Sequence, residues 1–169
     1  GVWLSIEKSI FQGINRLVSN VIPSPFTHDS LTPDDDLSDD LHEGWIAYAS
    51  DKKQCDYEEE RDFDTKAELA FRNMIVDGDI CQLILDNGQM QTMEAHQNRT
   101  PWSLRNQRTG SVDDGIIHGV ELKESKRVAY HFTASTLNPL TNTRFNTRRI
   151  PTYNEGGVQQ VLHLYNPKR

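Results

Sequence analysis

The chain is poor in several features, and each shortage narrows what it can be. Two cysteines, Cys55 and Cys81, are too few for a disulfide scaffold and lie at no zinc-ligand spacing, so both are expected as reduced thiols. No run of about 18 apolar residues is present, which excludes a helical membrane span. A charged start, an apolar stretch and a small-residue cleavage site are also missing, so a cytoplasmic rather than a secreted protein is expected. Neither a G-x-x-x-x-G-K-[ST] nor a G-x-G-x-x-G segment occurs, and no serine sits in a G-x-S-x-G elbow, leaving no evident nucleotide loop or hydrolase nucleophile. The six histidines include no i, i+4 pair of the helical zinc type. Apolar residues make up only 36% of 169 without glycine, against roughly 45–50% usual for a globular domain with glycine included. Either the core is small or part of the chain rests on something outside itself.

What is present is charge, unevenly placed. Residues 28–64 carry fourteen acids against three bases, a local −11, whereas residues 99–169 carry eleven bases against five acids, a local +6. The total of −7 conceals this polarity. An acidic first third would repel a phosphate backbone, so a simple DNA-binding module is not indicated. Acidic and basic regions on one chain suit pairing between neighbouring copies.

The hydropathy pattern predicts an α+β chain: helices first, then mainly antiparallel β-hairpins. Trp3, Ile6, Ile10, Ile14, Leu17 and Val21 recur at three and four, the stripe of an amphipathic helix that Pro23 and Pro25 end. It starts almost at the first residue, which suggests a chain cut from something longer. Three regions follow from these signals: an N-terminal helix in 1–26, an acidic linker with a short helix in 27–63, and an α+β core in 64–169. Ser38 with Asp39 and Asp40 reads as the start of the short helix, and Thr65 with Glu68 as a capping box opening the next. Then the period changes to two. Ile80–Leu85 and Gln89–Met93, joined through Asn87-Gly88, predict a hairpin with a type I′ turn. Ile116–Leu122 and Arg127–Phe132 predict a second, and Val158–Tyr165 a last strand. Arg99, Arg105, Arg108, Arg144, Arg148 and Arg149 are assigned to the loops between strands. There they could meet phosphate, with Trp102, Phe145 or Tyr153 stacking on bases, or meet the acidic segment of a neighbour.

Two clusters invite a catalytic reading. Asp77 and Asp79 flank Gly78 and, with Asp86 and Glu94, could hold Mg²⁺, but a helix-to-strand turn with solvated aspartates accounts for them more simply. Glu121-Leu122-Lys123 places a carboxylate and an amine on one strand face, as in the E-x-K half of a metal-dependent nuclease, with Asp113 or Asp114 as the missing partner. A strand running into a charged turn accounts for the same residues. The alternative function kept open here is a small nuclease using Asp77, Asp79 or Asp114 with Glu121 and Lys123. His131 and His163 fall near strand ends as hydrogen-bonded structural residues, and Cys81 falls inside an apolar strand as a buried, inert thiol.

Five segments taken in order resemble the phage portal proteins of the lambda family. They are the opening helix with Arg16-Leu17-Val18-Ser19-Asn20-Val21; Trp45, Tyr48, Cys55-Asp56 and Phe63; Asp77-Gly78-Asp79 before a strand closing in Met90-Gln91-Thr92-Met93-Glu94; Ile117-His118-Gly119-Val120-Glu121 before Arg127-Val128-Ala129-Tyr130-His131; and Arg149-Ile150-Pro151 before Val161-Leu162-His163-Leu164-Tyr165. The turn at Lys123–Lys126 departs from the family, lacking its usual Gly and Pro, and Tyr48 stands where Trp is common. The resemblance implies a structural subunit, not an enzyme, with no cofactor and no bound metal. It implies a ring, typically a dodecamer, at one capsid vertex in the virion, assembled in the host cytoplasm. Capsid and scaffold proteins, terminase and the head–tail connector are the implied partners, with double-stranded DNA passing through and no membrane. It also implies that this chain is the wing-like part, ending before the channel-lining helices. The interface candidates are Trp3, Ile10, Ile14, Arg144, Arg148 and Arg149.

Overall fold

The computed structural model describes residues 2–22, 25–101, 115–133 and 147–165. It has four helices, α1 (Val2–Val21), α2 (Asp35–Ser50), the single turn α3 (Lys52–Cys55) and α4 (Phe63–Val76). Seven strands follow: β1 (Asp79–Ile84), β2 (Met90–Glu94), β3 (Gly115–Ile117), β4 (Val120–Lys123), β5 (Lys126–Thr133), β6 (Thr147–Pro151) and β7 (Val161–Tyr165). The class is α+β, as the hydropathy pattern predicts. The strands form two antiparallel sheets, one of order β2-β1-β7 and one of order β3-β4-β5-β6.

Alternation along β1 explains the layering. Cys81 and Leu83 point to the second sheet, where they meet Met93, Tyr130, Phe132 and Val161 in the buried core, with Val120 and Ile150 at its edge. Ile80 and Gln82 point the other way, to the side covered by α4. The first sheet is thus the middle layer, buried on both faces, and its central strand reads as a continuous apolar run for that reason.

Several local details differ from what the sequence pattern predicts. The cap of α2 is Asp34, whose carboxylate accepts from the Leu37 amide, so the helix starts four residues ahead of the Ser38 expectation. Asp35 and Asp36 then occupy its first turn, where the helix dipole favours acids. Likewise α4 is capped by Asp62, accepting from the Thr65 amide at 2.8 Å, rather than by Thr65. In both cases an aspartate three residues upstream reaches the free amide first. The β1–β2 connection is Asp86-Asn87-Gly88, as expected, but its turn is not type I′. Leu85 O accepts from Gly88 N, Leu85 N donates to Gln89 O, and only Gly88 is at positive φ (+87°), a type I turn with a glycine bulge. Type I′ geometry occurs elsewhere, at His118-Gly119 and Glu124-Ser125, all at positive φ. The first of these turns divides the expected Ile116–Leu122 strand into β3 and β4. Gly119 is also required for space, since a Cβ there would lie 2.6 Å from the Arg99 amide. Arg148 and Arg149 belong to strand β6, not to a loop. They pair with Phe132 and His131.

The helices are tied down by polar and aromatic anchors more than by apolar area. Helix α2 buries no residue completely. It is held by Trp45, whose ring packs edge-on against Phe63 at 4.8 Å and whose Nε1 donates to Phe26 O, and by Tyr48, whose hydroxyl donates to Gly88 O. Phe26 in turn packs edge-on against Phe63 at 5.5 Å.

A buried ion pair lies where these elements meet. Asp56 is 0% exposed and Lys66, on α4, is 3% exposed, with Lys66 Nζ 2.5 Å from Asp56 Oδ1. The other carboxylate oxygen accepts from the amides of Glu60 and Arg61, which shapes the 56–62 loop. Lys66 also donates to Thr92 Oγ1 on β2, and Thr92 donates to Gln82 on β1. One chain of hydrogen bonds therefore joins the loop, α4 and the first sheet. Burial pushes the Asp56 pKa up, but the hydrogen bonds from Lys66, Arg61 and Glu60 and the Lys66 charge outweigh it, and the carboxyl stays below its ordinary value.

Replacing Lys66 by methionine leaves a buried carboxylate without its counter-charge. Urea denaturation is expected to show a loss of about 3–5 kcal/mol. Because the folded pKa of Asp56 is depressed, the stability it contributes is complete above the unfolded carboxylate value and is lost as pH falls through the folded one. The share of stability that Asp56 supplies should therefore be lost only in acid, at roughly pH 4 and below.

Candidate functional site

The residues singled out from the sequence fall into distinct places. On α1, Val18 is buried where the helix lies on α4, and Ile14 and Ile22 are half-buried. Of the predicted stripe, Ile14 lies toward the packed side, but other members do not. Ile10, Leu17 and Val21 remain 59%, 44% and 49% exposed, an apolar seam at seven- and four-residue spacing along the open side. Phe11 is exposed too, with the Arg72 guanidinium over its ring at 5.5 Å. Trp3 belongs to the same helix, but its side chain is outside the described residues, as is all of Arg144.

On the outer face of the second sheet, Glu121 (β4), His131 (β5) and Arg149 (β6) form a cross-strand ladder. Arg149 holds Glu121 with two hydrogen bonds, at 2.7 and 3.1 Å, and His131 Nε2 lies 3.3 Å from the same carboxylate. The bidentate Arg149 bond holds the Glu121 pKa below its ordinary value against the opposing effect of burial, and His131 adds to it. Arg148, the next residue, is exposed and forms no ion pair among the described residues.

On the inner face, Asp79 and His163 meet across β1 and β7, with Asp79 Oδ2 3.2 Å from His163 Nε2. His163 packs edge-on against Tyr130 at 5.4 Å, and the Arg127 guanidinium sits over Tyr165 at 4.2 Å. Cys81 is opposite His163 in the ladder, but its thiol is 3% exposed and burial pushes its pKa up to about 12. It is a packed, protonated thiol, not a nucleophile. Both Cys55 and Cys81 are free and buried.

The residues of the nuclease alternative do not form one centre in what is described. Gly78, at φ +96°, follows the Asp77 C-cap, and β1 starts at Asp79, the helix-to-strand turn expected of these residues. Glu121 is on the other sheet and engaged by Arg149. Asp113 and Asp114 are outside the described residues, together with Trp102, Arg105, Arg108 and Phe145. Among the described residues no group of three His, Cys, Asp or Glu side chains is placed to hold a metal ion.

Two open concavities stand out among the described residues. An almost wholly apolar groove of about 270 Å³ runs between α4 and the first sheet, lined by Ile22, Phe71, Met74, Leu162 and Leu164 among others. A larger cleft of about 480 Å³ opens between the two sheets at the free edge of β6. Leu83, Met93, Phe132 and Ile150 contribute its apolar lining, and Arg148, Arg149, Glu58 and Asp86 its charged lining.

The fold and these surfaces define an α+β chain that, among the described residues, leaves an apolar helix face exposed and a cleft between its sheets. The model of one protein family, described as phage portal protein, lambda family, matches residues 7–169, and the chain belongs to that family. No curated protein matches it. Sequence inspection missed the Asp56–Lys66 pair, because an aspartate in a run of acids reads as solvated. Its only sequence signal is the capped, two-turn reach from the loop to a lysine on the inner face of α4.

Burial pushes the His163 pKa below the ordinary imidazole value, and the Asp79 carboxylate only partly offsets this. With Nε2 on Asp79, Nδ1 is buried without a hydrogen-bond partner, so a second proton would be unsatisfied. A depressed folded pKa means the unfolded chain binds the proton more readily. Stability from this residue is complete above about pH 6.5 and declines as pH falls. Thermal unfolding at pH 5.5 and 7.5 should show a lower Tm at pH 5.5, and His163→Gln should reduce that difference.

Proposed function

We propose that the chain is the wing-like part of a portal subunit that assembles as a ring, typically a dodecamer, at one vertex of a phage capsid. Double-stranded DNA enters and leaves through the ring without sequence-specific contact. Terminase docks on it during packaging and supplies the ATPase activity, capsid and scaffold proteins surround it, and the head–tail connector follows. In the virion its place is the portal vertex, after assembly in the host cytoplasm. The observation that carries this reading is the family match over nearly the whole chain. The family is structural, and the mechanism is correspondingly one of contacts, not covalent chemistry. The commitment of Glu121 to Arg149 and His131 supports the same reading, because it removes the carboxylate a nuclease would need.

The interface residues are inferred from the apolar period of α1 and the charge polarity of the chain. Trp3, Ile10 and Ile14 on α1 form the apolar part, and Arg144, Arg148 and Arg149 the basic part that meets the acidic residues of 28–64 in the neighbouring copy. An unfilled apolar seam is a common mark of a surface covered in an assembly.

Complementation of a phage lacking its portal gene tests the reading, with DNA-filled capsids counted by electron microscopy. The subunit carrying this chain should restore packaging. Ile10→Asp removes an exposed apolar contact worth about 1.5–3 kcal/mol when buried, so it should cut filled capsids by about tenfold or more while leaving the fold intact. Restored packaging that ignores Ile10→Asp would remove α1 from the interface; failure to restore packaging at all would refute the portal role.

A further inference from the structure

The segment between α1 and α2 presents a feature that the fold itself does not use. Leu31 is 96% exposed, the most exposed large apolar side chain described. It stands on a short arm that is not free to collapse. Ser30 Oγ donates to Thr32 Oγ1 at 3.1 Å, Thr32 Oγ1 donates to Asp34 O at 3.2 Å, and His28 O lies 3.2 Å from His42 Nδ1 on α2. The arm is therefore shaped and anchored while its one leucine points into solvent. Asp29 precedes Leu31, and Asp34, Asp35 and Asp36 follow, so the exposed leucine is flanked in sequence by acidic residues.

The inter-sheet cleft offers an apolar floor with, on its β6 side, one arginine unpaired among the described residues. Its 480 Å³ is in the range of pockets that hold a buried side chain with its neighbours, and Leu83, Met93, Phe132 and Ile150 give it an apolar floor. Of the charges around it, Glu58 is paired with Arg61 and Arg149 with Glu121, while Asp86 stands on the β1–β2 turn. Arg148 is the charge on the β6 side with no ion pair among the described residues, among which β6 is also an edge strand.

We propose that Leu31 and its acidic arm seat in the inter-sheet cleft of a second copy of this chain, with Asp29 or the carboxylates after Leu31 meeting the neighbour's Arg148. Arm and cleft are different surfaces of one chain, so the contact is head-to-tail, the kind that closes into a ring or runs on as a filament. The inference rests on the reading of the chain as a self-assembling subunit and names one of the surfaces that joins the copies. A shaped arm loses little freedom on docking, which favours this contact over one made by a disordered tail.

Mixing two singly substituted chains tests it. Leu31→Cys chains mixed with Gln91→Cys chains, Gln91 being a cleft residue on β2, should form a disulfide joining the two positions on mild oxidation, identified in a peptide digest. Such a bond can arise only between copies. Charge exchange is the second measurement, because it leaves strand and helix packing alone. Asp29→Lys and Arg148→Glu should each weaken self-association in sedimentation by about tenfold, and the two together in one chain should restore it. Self-association with neither the disulfide nor the charge rescue overturns this inference and leaves the ring reading standing. A chain monomeric at every concentration overturns both.

Discussion

The structure depends on a charge pair placed where a small domain would ordinarily put apolar side chains. Asp56 and Lys66 are both withdrawn from water and satisfy each other, and the remaining lone pairs of Asp56 fix the amides of Glu60 and Arg61. Through Thr92 and Gln82 the same network reaches both strands of the β1–β2 hairpin. A buried pair of this kind is weak as a source of net stability, because desolvation offsets most of the attraction. Its effect is on geometry: α4 can sit on the first sheet in only the position that lets Lys66 reach Asp56. The apolar layer around it is then free to be thin.

That thinness explains the surface. The inter-sheet core is built from six buried residues, and α2 contributes none. Helices attached by a tryptophan, a tyrosine hydroxyl and one buried valine leave their remaining apolar residues facing out. In an isolated monomer such a seam would be a liability to aggregation; under the proposed portal reading it is surface for a neighbouring copy to cover. Acidic residues concentrated in 28–64 and basic residues later in the chain make the two kinds of surface unlike each other, which suits contacts between different patches of identical copies.

Much of this was legible from residue order alone. Period-two alternation located the β1–β2 hairpin and β7, period 3.6 located α1, and Gly78 after Asp77 marked the end of α4. The buried thiol of Cys81 followed from its position in an apolar strand, and hydrogen-bonded roles were expected of His131 and His163, though near strand ends and not inside β5 and β7, where they lie. What misled were local choices among equivalent signals. Asp34 and Asp62 cap where Ser38 and Thr65 were equally eligible, because capping depends on which side chain the incoming chain brings to the free amide. Glu124-Ser125 makes a type I′ turn without glycine, since the pairing of Lys123 with Lys126 imposes the conformation. The arginines of β6 lack apolar alternation, so only the ladder to β5 reveals them as strand residues.

The sequence by itself determined the α+β class, the order of helices before strands, the polarity of charge and the family, because these rest on periodicity and on residue types in fixed order. Only the tertiary structure decided which aspartate is buried, which side of α1 is left open, that β7 joins β1 and not the later strands, and that Glu121 is engaged by Arg149. Each of these depends on a partner far away in the chain, and the physical cost of burying a charge or leaving an apolar face bare is set by that partner, not by the residue's neighbours in sequence.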